Sequence, residues 1–396
     1  MRSVDRFLKK VPQYTRTMRH LQSVIAHGTP RKWANLLRVE AERKLRRVQV
    51  KGLPYLLIID PCNFCNLRCP LCPTGLGTLG RKQSFLSLDH FKLYFDPLAD
   101  HLFEAYLHNW GESLLNKQVY DMIAHAQSRN VGTNLSSNLS ATTSSDIDNL
   151  LDCGLEYLVV SLDGTSPESY SKYRVKGDYE RVVDNMSELI RRRNKRGSRK
   201  PMVEWQFIVM KQNEHEIETA ELMARRIGVD LLRFIPVGMP YDTDDRQAVA
   251  EEWFPVTVSG REHAPESVEQ QFGQANKPSP CFYLYRSMVV NPDGGVTPCC
   301  VVYKEDSDFA QLPAGDIHAL WNNDHYLSGR SLFSADNAPR KVDTICDGCD
   351  IFAKYDKPPQ PGSKRYAPAA AGHGCGHPAA AEPDEPLVTI QRTANE

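Results

Sequence analysis

From residue 54 onward, apolar and polar positions alternate between two periods. Short runs rich in Val, Ile, Leu, Tyr and Phe predict six strands: Tyr55–Asp60 (YLLIID), Glu104–His108, Gly132–Ser137, Tyr157–Leu162 (YLVVSL), Val203–Met210 and Leu231–Val237. Helical spacing fills the gaps, over Leu88–Leu98, Gln118–Ser128, Ser145–Cys153, Tyr179–Arg193 and Glu214–Ile227. In the fourth of these, Val182, Val183, Met186 and Ile190 share one face. Strands alternating with helices predict an α/β fold with a parallel sheet and helices packed outside it. Six units fall short of the eight of a closed barrel, so the expectation is a partial (β/α)6 TIM-type barrel.

The flanks read differently. Residues 1–53 form a helical arm: Tyr14, Met18, Leu21 and Ile25 stand at helical spacing opposite Arg16 and Arg19, and a second helix is expected over Pro30–Arg47. The arm is expected to pack on the main domain with its basic face in water. The barrel is expected over 54–240 and an irregular linker or substrate loop over 241–280, in a stretch that holds YDTDD, EEWF and a Gln/Asn/Pro/Ser-rich run. A small module is expected over 281–357. There Ser287–Asn291 and Val296–Pro298 flank the turn Pro292-Asp293-Gly294-Gly295, and a helix is expected over Ile317–Leu327. The tail, 358–396, is rich in Pro, Ala, Gly and Glu and is expected to be disordered. Its GHGCGH run at 372–377 reads as incidental composition.

Composition narrows the class. At 396 residues and 41% hydrophobic content, the chain can bury a sizeable core. No run approaches the roughly 18 apolar residues of a membrane span, and MRSVDRFLKK lacks the apolar core of a signal peptide. The 11 cysteines cluster in short groups rather than forming a disulfide framework, which fits metal ligation in a reducing cytoplasm. Net charge is −1 but segregated: fourteen Lys and Arg against three Asp and Glu give residues 1–51 a charge of +11 and the remainder −12. Such a segment can contact anionic lipid at the inner membrane face, nucleic acid or an acidic partner.

The densest chemistry is Asp60–Gly75, DPCNFCNLRCPLCPTG, where Cys65, Cys69 and Cys72 stand as C-x3-C-x2-C. Zinc sites generally offer four ligands. Three thiolates in a tight run suit an iron–sulfur cluster with one iron left open. This stretch, after a predicted strand, resembles the signature of the radical S-adenosylmethionine (AdoMet) enzymes. The resemblance implies that the open iron of a [4Fe–4S] cluster binds AdoMet, which is cleaved to methionine and a 5′-deoxyadenosyl radical. Leu71 stands where an aromatic residue is frequent in that family, and Cys62 is an extra cysteine that need not ligate.

Later strand ends match the same family in order. The resemblance assigns AdoMet contacts to Gly111 and Glu112 in HNWGES, to Ser137 and Asn138 in SSN, and to Ser161 and Asp163 in SLDG. Trp110 and Ser113 depart from its usual Gly and Pro. Arg174 is a candidate for the AdoMet carboxylate.

In the C-terminal module Cys281, Cys299, Cys346 and Cys349 run C-x17-C and then C-x2-C. This resembles the twitch module, a shortened SPASM domain holding one auxiliary [4Fe–4S] cluster. Tyr355 and Pro359 stand where a full SPASM pattern continues with cysteines, and Cys300 competes with Cys299 as a ligand.

The expected activity is abstraction of hydrogen from a carbohydrate, aminocyclitol or lipid-linked small molecule, with oxidation or epimerisation as the outcome. A flavodoxin- or ferredoxin-type electron donor is expected, and no nucleic acid. For epimerisation, Cys62, Cys153 and Cys300 are the thiols that remain as hydrogen donors. The alternatives are a peptide maturase acting with a separate leader-binding partner, and a non-catalytic protein stapled by zinc.

Overall fold

A computed structural model describes residues 11–256, 280–334, 340–349 and 387–388. Helices α1 (Val11–Ala26) and α2 (Pro30–Lys44) open it. There follow β1 (Leu56–Ile59), α3 (Pro73–Leu76), α4 (Leu88–Phe95), β2 (Glu104–Tyr106), α5 (Val119–Ser128), β3 (Gly132–Ser137) and α6 (Ser144–Asp152). Next come β4 (Tyr157–Ser161), α7 (Pro167–Tyr173), α8 (Tyr179–Lys195), β5 (Met202–Val209), α9 (Ile217–Ile227), β6 (Leu231–Pro236) and α10 (Arg246–Trp253). The C-terminal part adds α11 (Tyr283–Arg286), β7 (Ser287–Val290), β8 (Gly295–Thr297), β9 (Ala310–Gln311), α12 (Ile317–Trp321), α13 (Asp324–Ser331) and β10 (Leu387–Val388).

One sheet runs through the molecule in the order β10-β6-β5-β4-β3-β2-β1-β7-β8-β9. Strands β1 to β6 pair in parallel, each with its sequence neighbour, as right-handed βαβ units require. This is the partial barrel. The C-terminal hairpin is not a detached module: β7 pairs in parallel with β1, from Leu56↔Ser287 to Ile59↔Val290, and carries the antiparallel β8 and β9 beyond it.

The two faces of the barrel strands differ. Outward positions such as Leu57, Ile59, Ala105, Leu135, Leu158, Val160, Val203, Trp205 and Phe207 are buried in one apolar core. Inward positions are strongly polar. Glu104, Tyr106, Asn134, Tyr157, Glu204, Gln206 and Arg233 are all buried. Tyr106 Oη donates to Glu104 Oε2 at 3.1 Å, Arg233 Nε donates to Glu204 Oε1 at 2.5 Å, and Tyr157 Oη donates to Glu204. Carboxylates in such a place must be paired.

That requirement corrects the expected lie of the arm. Arg19 and His20 do not face water. Arg19 Nη1 donates to Glu104 Oε1 at 3.2 Å, His20 Nδ1 lies 2.7 Å from Glu104 Oε2, and the Arg19 guanidinium sits 4.2 Å over the Tyr157 ring. Burial alone would raise the Glu104 pKa, but Arg19 and His20 hold it at about 2. Leu21 and Ile25 are left exposed. Side chains of residues 11–18, with Tyr14, Arg16 and Met18, lie outside the described residues.

Three further expectations change. The stretch 241–280 is not irregular throughout: Asp245 caps α10 by accepting from Ala248 N at 2.9 Å, and Trp253 is buried. The helix expected over Ile317–Leu327 is broken. Asn322 turns aside to bond Val50 through both side-chain ends, at 2.9 and 3.0 Å, and Asn323 caps α13. Within the tail, Leu387–Val388 pairs antiparallel to β6, and the GHGCGH run lies outside the described residues.

Candidate functional site

The three-cysteine loop covers the C-terminal end of β1 and closes on itself. Cys72 N donates to Cys69 O at 3.1 Å, and the chain then turns into α3. Gly75 makes this crossing possible, because a Cβ there would lie 2.6 Å from Cys69 N and O. Cys65 Sγ accepts from Leu67 N at 3.4 Å and faces Asn138 Nδ2 at 3.7 Å. Cys69 Sγ faces Arg174 Nη1 at 4.0 Å. Burial raises the Cys69 thiol to about 11, against the pull of Arg174, and burial raises Cys65 further. Thiols in such a place stay protonated until a metal centre takes them as thiolates.

Around the loop lies an apolar wall of Leu67, Leu71, Tyr173, Met210, Val237, Met239, Trp253 and Phe254. Helix α10 supplies Trp253. An iron–sulfur cluster fits this setting on three counts: the donors are all sulfur, amide and guanidinium N–H groups point at them, and the wall keeps water away.

Glu112 stands beside the loop and is fixed by its neighbours. Its Oε1 accepts from Ser137 Oγ at 2.8 Å and Leu114 N at 3.2 Å, and its Oε2 accepts from Asn138 N at 2.8 Å. Ser137 and Asn138 therefore orient Glu112, while Asn138 Nδ2 also reaches Asn66 Oδ1 at 3.0 Å. Asp163 is fully buried: its Oδ1 accepts from Ile208 N at 2.7 Å and its Oδ2 from Arg174 Nε at 2.5 Å. The Asp163 carboxylate is thus engaged by Arg174 and by the Ile208 amide. Ser161 ends β4 on the inward face, two positions before Asp163.

Asp60, at the end of β1, is a site residue that no motif announced. Its Oδ2 accepts from Trp110 N at 2.9 Å and Gly111 N at 3.2 Å, which pins the Gly–Glu turn onto the loop. Gly111 is obligatory here, since any Cβ would fall on the Cys62 carbonyl. Cys62 itself is fully buried, with Sγ donating to Glu112 O at 3.1 Å, which removes it as a hydrogen donor to a substrate.

The other four cysteines come together across three segments. Cys281 precedes α11 and Cys299 follows β8. Cys346 and Cys349 sit on a 3-10 turn whose start is capped reciprocally by Thr344 and Asp347. Burial, together with the charges of Cys349 and Cys299, raises Cys281 to about 12, and burial with Cys349 does the same for Cys299. Cys346 is raised by burial and by the other three. Cys300 is buried in the core beside the Tyr283 hydroxyl, 3.2 Å from it, and Cys299 is the residue that shares the thiol group. Among the described residues, no three His, Cys, Asp or Glu side chains converge as they would on a single ion; a cubane cluster holds its thiolates wider apart. On α13, Arg330 is fully buried. It donates to Leu284 O at 2.8 Å and Trp321 O at 2.9 Å, and lies 4.8 to 5.6 Å from the rings of Trp321, Tyr326 and Tyr285.

Comparison with known proteins agrees with both sites. Residues 59–224 match the model of the radical SAM superfamily, and residues 281–350 match that of the SPASM iron–sulfur cluster-binding domain. PqqA peptide cyclase of Rhizobium meliloti (strain 1021) is 29% identical over 132 residues, 33% of this chain and 35% of that protein. AdoMet-dependent heme synthase of Methanosarcina barkeri is 23% identical over 204 residues, 50% of this chain and 56% of that protein. The matches thus span between a third and just over half of these relatives. Among solved structures, SuiB of Streptococcus suis bound to precursor peptide SuiA has a TM-score of 0.55 at 12% identity, covering 78% of this chain and 72% of that one. The structure of anSMEcpe with bound AdoMet has a TM-score of 0.50 at 15% identity, covering 68% and 81%. The two matched models describe the radical SAM superfamily and an iron–sulfur cluster-binding domain, which favours iron–sulfur clusters over the zinc alternative.

Proposed function

The chain belongs to the radical SAM superfamily and carries a SPASM iron–sulfur cluster-binding domain, and we propose from this that it modifies a peptide. The observation that carries the peptide reading is the similarity to PqqA peptide cyclase. It favours the maturase alternative over the carbohydrate, aminocyclitol or lipid-linked substrates expected from the resemblance to twitch-type enzymes.

In this reading Cys65, Cys69 and Cys72 would hold the first [4Fe–4S] cluster, and Cys281, Cys299, Cys346 and Cys349 an auxiliary one. With AdoMet bound, the first cluster supplies one-electron chemistry strong enough to take hydrogen from carbon. The residues supply position. Glu112, braced by Ser137 and Asn138, keeps acceptor capacity on Oε2 for an ammonium. Arg174, held by Asp163, offers a cation for a carboxylate. Gly111 lets the backbone approach, and Ser161 adds a hydroxyl at the lumen edge. Met210, Met239, Trp253 and Phe254 exclude water.

The polar lumen would meet the substrate. His108 Nδ1 and both ends of the Asn134 amide are buried without a partner among the described residues. Burial pushes His108 down to about 4, so it stays neutral. Neutral donors and acceptors of this kind suit an amide. Electrons enter from a flavodoxin- or ferredoxin-type donor.

The test supplies fractionated extract of the native host to the anaerobically reconstituted protein with AdoMet and reductant, and follows 5′-deoxyadenosine. Stimulation by the peptide fraction, lost after protease treatment, is the expected result. Stimulation that survives protease would return the substrate to the small-molecule classes.

A further inference from the structure

The N-terminal arm carries a surface that the proposed chemistry does not use. On α2 the positions Ala34, Leu37, Arg38, Ala41, Lys44 and Leu45 follow one stripe, and all are exposed. Leu37 is 67% and Leu45 66% exposed, values far from those of core leucines. On α1, Ile25 is 62% exposed. Scattered exposed apolar residues are ordinary. Here they stand among cations: Arg31, Arg38, Lys44, Arg47 and Lys51 are exposed around them.

The described acids of the arm, Glu40 and Glu42, are engaged by other groups. Glu40 accepts from Tyr55 Oη at 2.8 Å and from Arg286 Nε at 2.5 Å. Glu42 accepts from Lys51 N at 2.8 Å and Gly52 N at 3.0 Å. Asp100, from a neighbouring loop, is paired with Arg31 at 2.8 Å. Beside the stripe, Arg38, Lys51 and His318 line a shallow cleft with Val50 and Asn322. The face therefore sets exposed aliphatic side chains among cations.

We propose that α2 and its flanks dock the enzyme peripherally on an anionic lipid surface. Leu37 and Leu45 enter the headgroup layer, and Arg38, Lys44, Arg47 and Lys51 meet lipid phosphates. An extended acidic peptide needs a sheet edge or a groove to pair with, and the cleft at Arg38 and Lys51 is not lined by Leu37 or Leu45, so a peptide held there would leave both leucines in water. A planar charged surface takes a face of this composition readily. Among the described residues no helix is long and apolar enough to cross a membrane, so the contact is one of surface attachment.

The full-length reconstituted protein is mixed with vesicles of phosphatidylcholine alone, or with added phosphatidylglycerol, and separated by flotation. Binding to the anionic vesicles alone is expected, weakening as salt screens the charges. Combined Arg38→Gln, Lys44→Gln, Arg47→Gln and Lys51→Gln changes are expected to weaken it about fivefold per charge. Leu37→Gln with Leu45→Gln is expected to weaken it about tenfold while leaving the salt dependence in place. AdoMet cleavage without substrate should be unchanged in both variants, which shows that they are folded. Equal binding to both vesicle types, no binding to either, or unaltered binding by the charge variant overturns the proposal. Tight binding of polyglutamate by a protein that ignores the vesicles also overturns it, in favour of an acidic partner.

Discussion

The two thiol groups are built in opposite ways. The first takes Cys65, Cys69 and Cys72 from one loop, sets them over a polar lumen, and leaves a cation, Arg174, beside them. The second draws Cys281, Cys299, Cys346 and Cys349 from three segments and sets them against a hairpin and buried aromatic rings. Three ligands leave an iron open for a reactant, and four close the cluster. In the function proposed above, the first site would bind a reactant and the second would hold charge. The difference also bears on robustness. A local loop keeps its ligands near one another even when packing is perturbed, whereas the second site exists only while β7, β8 and the 340–349 segment stay docked.

The sharpest way to break this comparison is to remove the first site. Changing Cys65, Cys69 and Cys72 together to Ala should abolish 5′-deoxyadenosine formation. It should leave one [4Fe–4S] signal, which AdoMet does not shift. A variant that still cleaves AdoMet, or one that holds no iron, would show that the two groups are not separate sites.

Next in size is Gly111→Ala. The added methyl collides with the Cys62 carbonyl, and neither backbone can move without displacing Asp60 and Glu112. Overpacking of this kind costs about 3 kcal/mol. Iron content should fall by one cluster, and AdoMet cleavage should be lost with it. Equal loss of both clusters would mean that the sites share their stability.

Arg330 sharpens the other half. The hydrogen-bond partners of this buried cation are carbonyl oxygens and the Asn322 side chain, aromatic rings surround it, and the acid whose charge reaches it is Glu42. Burial lowers its pKa to about 10, so it remains charged at neutral pH. Arg330, Cys346 and Cys299 all act on Tyr326, so this ring lies between the cation and the second group, and a positive charge at that remove favours the more negative, reduced state of the group. Arg330→Met in the triple-alanine background should lower the midpoint potential of the remaining cluster, and Arg330→Lys should restore part of the shift. An unchanged potential would leave Arg330 with a packing role alone.

Much of this was legible because it is local. The alternating periods fix β1 to β6 almost residue by residue, and C-x3-C-x2-C needs no tertiary information. What was not legible depends on long-range placement. Helix α10 has one buried residue, Trp253, so its sequence shows no apolar stripe. Strand β9 is two residues long. The arm was misread because an apolar stripe usually faces the core. Here the buried Glu104 decided the matter, since an unpaired carboxylate in the lumen costs more than two exposed aliphatic side chains. The run RRRNKRGSRK at 191–200 reads in sequence as a solvated helix end and loop, yet Arg193 is buried against Asp230 and donates to Pro201 O at 2.8 Å.

Asp60 shows the same limit and gives the smallest expected effect. A lone acid after a strand carries no signal, yet it ties the Gly–Glu turn to the first site through Trp110 N and Gly111 N. Burial raises its pKa from 3.8 to about 7, against the pull of those amides. A raised acid means that the folded state binds a proton which the unfolded state has released. Stability from this group therefore falls as pH rises from about 4 to about 7, and it is constant above that range. Asp60→Asn keeps a carbonyl to accept from the amides and removes the titration. The variant should gain on the parent as pH rises through this window, in denaturant unfolding followed at about pH 5 and about pH 8. Its second-site cluster should be unaffected at either pH, because the Asp60 carboxylate bonds the Trp110 and Gly111 amides of the first site, and the substitution leaves its backbone bond to Val290 O in place. Parallel pH curves for parent and variant would mean that Asp60 is ionised throughout and that the turn is held by a carboxylate, not by an acid.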